Sequence, residues 1–413
     1  MDATTPSASE GSPRPRLPRN VWAVSATSFF MDISTEMIVN VLPLFLANVL
    51  GVRTSVIGLI EGVAEATASL LKLFSGWLSD RLGDRKWVAV SGYAISAFTK
   101  PLFYFATTWG MVAAVRWADR VGKGVRTAPR DALIADSVDA KQRGLAFGVQ
   151  RSADTAGAFL GLLIALGVVW QLQARTVTLT QDTFQTLVLI SLIPGFLAVA
   201  ALAIGARNVP RSGSQAPPRI TLRGLGRPFL TYLLIVGLFD LGNSSDAFLV
   251  LRAQSVGVSV LGVLAILVVF NAVYALVSTP AGSLSDRIGR RRVLIAGWLL
   301  YAVVYLGFAR ADSTWQIWVA YVLYGLYYGI SYGTAKAVVA DLVPPDVRGT
   351  AYGTYNAMLG FIDLPASLIA GILWQGIGAW PGLGAPAPFY FGAATALLAA
   401  VSLAVWRPLP PAL

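Results

Sequence analysis

Long apolar runs, separated by short polar turns, are the dominant pattern of this chain. They lie at about 20–48, 55–78, 87–107, 110–134, 144–170, 184–206, 228–250, 258–281, 292–310, 315–340, 350–374 and 386–406, and are called spans 1 to 12. Each is close to the roughly 20 residues that an α-helix needs to cross the hydrocarbon layer of a bilayer. The pattern predicts an all-α membrane protein with twelve transmembrane helices.

Span 4 departs from this pattern because its sequence, VRWADRVGKGVRTAPRDALIAD, is rich in charge. A charged side chain at the centre of a bilayer costs about 2.5 kcal/mol or more unless it is paired or hydrated. We therefore expect span 4 to be a helix whose charged residues face other parts of the protein or water.

The composition supports a membrane location. Hydrophobic residues make up 55% of the 413 residues and charged residues only 13%, which is far from the usage of a soluble domain. The formal net charge is +11, but the basic residues concentrate before span 1, after spans 2, 4 and 8, and between spans 6 and 7. Because these loops share one side, the asymmetry predicts the inner (cytoplasmic) membrane with both termini cytosolic, and argues against nucleic acid as a partner.

Polar segments divide the chain into two similar parts. Residues 1–19 are rich in Ser and Pro and are predicted to form a disordered cytosolic tail. The segment 207–227, RNVPRSGSQAPPRITLRGLGR, is predicted to be a cytosolic linker. It separates a six-helix half at 20–206 from a second half at 228–406, and residues 407–413 form a short cytosolic tail.

An internal repeat supports this division. GWLSDRLGDRK at 76–86 recurs as GSLSDRIGRRR at 282–292, and ALIADSVDAKQRGLAFG at 132–148 recurs as AVVADLVPPDVRGTAYG at 337–353. The spacing between the copies is nearly the same in the two cases. We therefore predict two pseudo-symmetric copies of one six-helix unit.

The first repeated segment resembles the motif Gly-x-Leu-x-Asp-Arg-x-Gly-Arg-Arg/Lys of the major facilitator superfamily. The matching residues include Gly76, Asp80, Arg81, Gly83, Gly282, Asp286, Arg287 and Gly289, and the first copy departs from the motif at Asp84. The resemblance implies the major facilitator fold and a secondary transporter that works by alternating access. We interpret the motif as a latch of the cytoplasmic gate.

Ionisable side chains inside the spans are functional candidates because burying them is costly. Asp32, Glu36 and Asn40 form one polar stripe on span 1 at helical spacing. Arg116 aligns with an arginine that the family carries in its fourth helix, and the resemblance implies that helices one and four line the transport cavity. Since the chain has no His and no Cys, a carboxylate must carry any coupled proton. Asp32, Glu36 and Arg116 are therefore the candidates for proton coupling.

Further polar residues are candidates for the substrate cavity. They lie on spans 1, 2 and 4 in the first half and on spans 7, 10 and 11 in the second, where the chain has both acids and tyrosines. The candidates are Asn40, Glu61, Glu65, Arg120, Lys123, Asp240, Asn243, Asp246, Tyr324, Tyr328 and Asp363. The sequence Asp363-Leu364-Pro365 also predicts a break in span 11. The alternative interpretation is that many of these charges pair with each other and tie helices together.

The most consistent function is proton-coupled export of a small organic molecule, and a proton-coupled importer of an organic anion is the alternative. A membrane enzyme such as a lipid transferase is disfavoured because the chain offers no histidine and no paired acidic metal motif. A sensor or scaffold that transports nothing is a further alternative. We expect no cofactor and no metal, and a monomer in the bilayer whose partners are its solute and protons.

Overall fold

The computed structural model describes residues 17–139, 142–174, 176–209, 225–344 and 347–406, apart from the side chains of Leu73 and Asp80. Most of the expected N-terminal tail and linker, and the whole expected C-terminal tail, fall outside these residues. The described chain is almost entirely helical, and its helices form twelve spans. This confirms the predicted fold class.

The first half contains spans 1 to 6. Its helices are Arg19–Val39, Leu42–Leu44 with the π-helix Phe45–Val49, Thr54–Leu82, Arg85–Thr99 with the 3₁₀-helix Lys100–Phe105, Trp109–Asp136, Arg143–Gln173 and Gln181–Gly205. Span 4 is thus one continuous helix despite its charges. Seven helices of the described chain are long and apolar enough to cross a membrane by length and composition alone, and span 4 is not among them.

The second half contains spans 7 to 12. Its helices are Gly226–Leu241 and Ala247–Ser255, which together form span 7, followed by Val260–Ile288, Arg290–Arg310, Thr314–Leu342, Arg348–Gln375 and Ala387–Val405. Span 11 remains helical through Pro365, so the predicted break there is wrong. A proline removes only one helical hydrogen bond, and packing against span 2 keeps the helix continuous. The break lies in span 7 instead.

The packing of the helices confirms the pseudo-symmetry. Span 1 packs on spans 5 and 6, and span 4 on spans 2 and 3. The equivalent pairs in the second half also pack together: span 7 on spans 11 and 12, and span 10 on spans 8 and 9. Between the halves, span 2 packs along span 11 and span 5 packs on span 8. A rotation that superposes each half on the other places the first of these contacts on the second.

The halves meet closely at the face opposite the basic loops, which we call the far face. A Cβ atom on Gly62 of span 2 would lie 2.8 Å from the Cα of Leu364, and one on Gly371 of span 11 would lie 2.6 Å from the Cα of Ser55. Glycine therefore allows these backbones to touch. Near this face, the backbone N–H of Thr54 donates to Gln375 Oε1 at 2.6 Å. The far face is closed in this conformation.

Candidate functional site

A cavity lies between the two halves and has three connected chambers. The inner chamber, about 440 Å³, is nearest the far face. The middle chamber is about 410 Å³, and the outer chamber, about 700 Å³, extends towards the basic-loop ends of spans 4, 5 and 11. Glu65 and Lys123 line all three. Cavities of this size hold small organic ligands.

Most of the predicted site residues meet in this cavity. The outer chamber includes Asp32, Glu36 and Arg120. The remaining candidates that line a chamber are Asn40, Glu61, Arg116 and Asp246 in the inner one, Asp240 in the middle one, and Asn243, Tyr328 and Asp363 in both. Tyr324 does not line a chamber; it is buried and packs against Tyr301 and Tyr305 in the aromatic core of the second half.

The charges of spans 2 and 4 neutralise each other. Arg116 makes a bidentate pair with Glu61, with Nε to Oε1 at 3.1 Å and Nη2 to Oε2 at 2.6 Å. One helical turn along, Arg120 Nη1 donates to Glu65 Oε1 at 3.0 Å, and Lys123 Nζ lies 3.7 Å from Glu65 Oε2. The helical period of both spans brings these stripes face to face. For spans 2 and 4, the geometry agrees with the alternative interpretation, in which charged residues pair with each other and tie helices together.

The acids of span 1 have different surroundings. Glu36 Oε2 accepts a hydrogen bond from Asn40 Nδ2 at 2.7 Å, and the carboxyl group of Asp32 lies beside that of Asp154 on span 5. Among the described residues, neither Asp32 nor Glu36 forms an ion pair. In this conformation the expected partner of both, Arg116, is held by Glu61.

Two polar residues of this region were not predicted as site residues. Asp154 accepts from Arg151 Nη1 at 3.1 Å and from Gln150 Nε2 at 3.4 Å, and it lines the outer chamber with Asp32. Lys100 is only 2% exposed and donates to Ser34 Oγ at 2.6 Å. A single lysine inside the otherwise apolar span 3 is the sequence signal that could have identified Lys100.

In the second half, the break in span 7 positions the acids. The chain leaves the helix at Leu241 and resumes it at Ala247. Tyr301 Oη donates to the carbonyl of Gly242 at 3.1 Å, and Tyr324 Oη donates to Asp246 Oδ1 at 2.9 Å. Tyr324, which lies in the aromatic core of the second half, therefore holds Asp246 at the end of the break.

The repeated motif forms the same arrangement in each half. Arg85 pairs with Asp136 and donates to the carbonyl of Ala132. Arg290 aligns with Asp84 in the printed repeat but, like Arg85, is the first residue of its helix, and its Nη1 lies 2.6 Å from Asp341 and 3.1 Å from the carbonyl of Ala337. Each pair joins the start of one helix to the end of the next, span 3 to span 4 in the first half and span 9 to span 10 in the second. The sequence reasoning missed both aspartates, although the repeat ALIAD and AVVAD contains them.

The motif residues that were predicted lie around these pairs. Gly83 and Gly289 have φ of +65° and +98°, a conformation that glycine adopts readily. Asp286 Oδ1 lies 3.0 Å from Arg290 Nη2, and Arg81 stacks over the ring of Trp77 at 5.3 Å. Gly76 and Gly282 lie within helices, and Arg287 lies on the surface at the end of span 8. The side chain of Asp80 falls outside the described part.

A helical bundle of two repeats around a polar central cavity is the architecture of a membrane transporter. The family model of the Major Facilitator Superfamily matches residues 24–245 and, a second time, 232–413. An uncharacterized MFS-type transporter of Methanocaldococcus jannaschii is 36% identical over 365 residues, which cover 87% of this chain and 89% of the relative. The chain belongs to the major facilitator superfamily.

More distant relatives have named activities. The multi-drug resistance efflux pump PmrA of Streptococcus pneumoniae is 23% identical over 77% of this chain and 79% of its own length. The cis,cis-muconate transport protein of Acinetobacter baylyi is 22% identical over 75% of this chain and 77% of its own length. Among solved structures, the nucleoside transporter NupG matches with a TM-score of 0.75 at 13% identity, covering 94% of this chain and 100% of that one. That likeness concerns the fold alone.

Proposed function

We propose that this protein exports a small organic solute across the cytoplasmic membrane, with both termini in the cytosol, and that proton movement drives the transport. The observation that carries the proposal is the state of Asp32 and Glu36. Both line the cavity between the halves, and neither is paired with a base among the described residues. Two of the basic residues of span 4, Arg116 and Arg120, are held instead by Glu61 and Glu65.

A carboxylate in such a place is well suited to exchange a proton. Burying its charged form without a basic partner is costly, whereas the protonated form costs little. Two carboxyl groups side by side, as in Asp32 and Asp154, repel each other when both are charged, so a proton between them relieves the repulsion. Rotation of the second half against the first would change the access of water to these carboxyl groups, and protonation would then follow conformation.

Alternating access requires that the halves rotate against each other. The contact of span 2 with span 11 closes the far face, and each motif pair lies within one half. The motif pairs would therefore keep each half rigid while the glycine-lined contact opens. Efflux by the relative PmrA supports export.

The test uses vesicles containing the purified full-length protein, with ethidium as a cationic probe and cis,cis-muconate as an anionic one. An imposed pH gradient is expected to drive a probe uphill in the unmodified protein. Asp32→Asn or Glu36→Gln is expected to abolish this uphill transport, because a neutral side chain carries no proton, while downhill exchange persists. Asp312→Asn, in an exposed loop, is the matched control. Gradient-driven transport that survives in the double variant would exclude this coupling site.

Import of an organic anion is the second candidate. It is favoured by Lys72, Lys123 and Lys336, which all line the middle chamber, and by the muconate transport protein among the relatives. The direction of the pH gradient that drives accumulation separates the two. If muconate enters vesicles together with protons, and ethidium is not moved, import replaces export.

A further inference from the structure

The middle chamber holds lysines and aspartates that do not pair with each other. Lys72 and Lys123 come from spans 2 and 4 of the first half, whereas Asp240 and Asp363 come from spans 7 and 11 of the second. No ion pair joins these lysines to these aspartates in the described chain. The two halves thus present opposite charges, not paired with each other, to the same space of about 410 Å³.

Asp240 is the most informative of the acids. It is only 8% exposed, and its Oδ1 accepts one long hydrogen bond from Asn243 at 3.4 Å. Its Oδ2 is buried and has no hydrogen-bond partner in the described residues. Leaving a buried acceptor unpaired costs roughly 1–3 kcal/mol, and more for a charged one. A donor on a ligand would remove this cost.

The helix end beside Asp240 adds partial negative charge at the same place. The helix Gly226–Leu241 ends one residue after Asp240, and the C-terminal end of a helix has a partial negative charge. Broken helices of transporters use such ends to bind cations. The position of Asp240 therefore favours a positively charged group of a ligand.

The lysines offer the complementary site. The side chain of Lys72 forms no hydrogen bond or ion pair with a described residue. Lys123 is 3.7 Å from Glu65, but that carboxylate is already bound by Arg120 at 3.0 Å. The Lys336 ammonium group contacts the hydroxyl and ring of Tyr332, at 3.1 and 4.4 Å, and forms no ion pair with a described residue. These three ammonium groups retain the capacity to bind an anion.

We propose that the middle chamber binds a zwitterionic solute, a small molecule with an amine and a carboxylate. Its ammonium group binds at Asp240 and Asp363, and its carboxylate binds among the three lysines. The rings of Tyr328 and Trp298, which also line the chamber, pack against its apolar body. The proposal rests on the proposed function, because it takes this cavity to be the solute pathway.

Charge balance explains why a zwitterion fits better than a singly charged solute. A cation would neutralise the aspartates and leave the lysines unmatched, and an anion would do the reverse. Each unmatched charge in a cavity of low dielectric constant is costly. A zwitterion matches both sets and brings no net charge into the membrane.

The test measures thermal stabilisation of the purified full-length protein by matched trios of probes. One trio is phenylalanine, phenethylamine and 3-phenylpropionate, and the indole and alkyl series have the same three charge types. We expect a zwitterion to bind at least tenfold more tightly than either singly charged member of its trio. Singly charged members that bind as tightly, or a set in which no zwitterion stabilises the protein, would overturn the proposal.

Variants assign the two ends. Asp240→Asn is expected to remove the preference for the zwitterion over the anion, and Lys72→Gln the preference over the cation. Asp363→Asn is a second test of the ammonium end if Asp240→Asn does not fold, and Asp312→Asn is the control. An unchanged order of affinities in both Asp363→Asn and Lys72→Gln would also refute the assignment.

Flux in vesicles separates this proposal from the proposed function. If a singly charged probe binds best and a pH gradient drives its transport, the zwitterion site is wrong but proton-coupled transport stands. If the zwitterion binds best and no gradient moves it, the binding site stands and the proposed function fails.

Discussion

The first and second halves have equivalent helices but bury their charged residues in different ways. In the first half, Arg116 and Arg120 are almost fully buried and are bound by Glu61 and Glu65. In the second half, Asp240 is also buried and is not bound by any base in the described chain. The buried base there, Arg252, donates to backbone carbonyls such as that of Phe308 at 2.9 Å.

This difference separates structural charge from available charge. An ion pair that is matched and buried fixes two helices relative to each other, but it has little capacity left for a ligand. An unmatched buried acid lowers the stability of the protein, and binding of a proton or a ligand removes this cost. The pseudo-symmetry thus concerns the backbone, and the two halves contribute different chemistry to one cavity.

The largest expected effect comes from removing one partner of a first-half pair. Glu61→Gln removes the bidentate counter-ion of the buried Arg116 and leaves only Glu65, at 3.8 Å, so we expect a loss of about 3 kcal/mol in the free energy of unfolding. The matched change in the second half, Asp240→Asn, is expected to be neutral or stabilising in the ligand-free protein. Thermal unfolding of both variants in detergent measures this. Equal destabilisation by the two changes would contradict the distinction between the halves.

The contact that joins the halves is the next test. Gly62→Ala places a methyl group against the backbone of Leu364, and overpacking of this kind costs about 1–3 kcal/mol. Because only the closed far face has this contact, we expect the variant to favour conformations in which that face is open. Chemical labelling of a cysteine introduced next to Gln375 should therefore become faster. Gly167→Ala, where a Cβ meets open space, is the control and should leave labelling unchanged.

A smaller effect is expected at the break in span 7. Tyr324→Phe removes the hydrogen bond to Asp246, an acceptor exposed to the cavity, and should cost about 0.5–1.5 kcal/mol, the net contribution of one hydrogen bond. Tyr321→Phe is a matched control on the same helix, because the buried hydroxyl of Tyr321 has no partner in the described chain. Thermal unfolding should show a loss for the first variant and none for the second. Equal losses would mean that packing, and not the hydrogen bond, holds the break.

The smallest effect on stability is expected at the motif pairs. Arg290 is 31% exposed in its pair with Asp341, and such pairs contribute about 1 kcal/mol or less. Arg85→Gln and Arg290→Gln should therefore fold normally but exchange probe more slowly, because each half becomes less rigid. Asp80→Asn is expected to behave in the same way. Arg292→Gln, at an exposed position in the first turn of the helix Arg290–Arg310, is the control, and rates equal to the control in all three variants would remove the latch interpretation.

The twelve helices, the two repeats and most residues of the cavity follow from the sequence alone. Apolar length defines a membrane helix, because every backbone polar group in lipid must be bonded within the helix. The helical period then assigns polar residues to one face, so the spacing of Asp32 and Glu36, or of Arg116 and Arg120, is enough to group them. These properties depend on one helix at a time.

Which charges meet depends on the packing of helices against each other. Arg116 binds Glu61 and not Asp32, Asp154 lies beside Asp32, and the break falls in span 7 and not at Pro365. Each outcome depends on the rotation and depth of one helix relative to another. Close packing at glycines such as those of spans 2 and 11 determines this rotation and depth. The periodicity of a single helix contains no information about either.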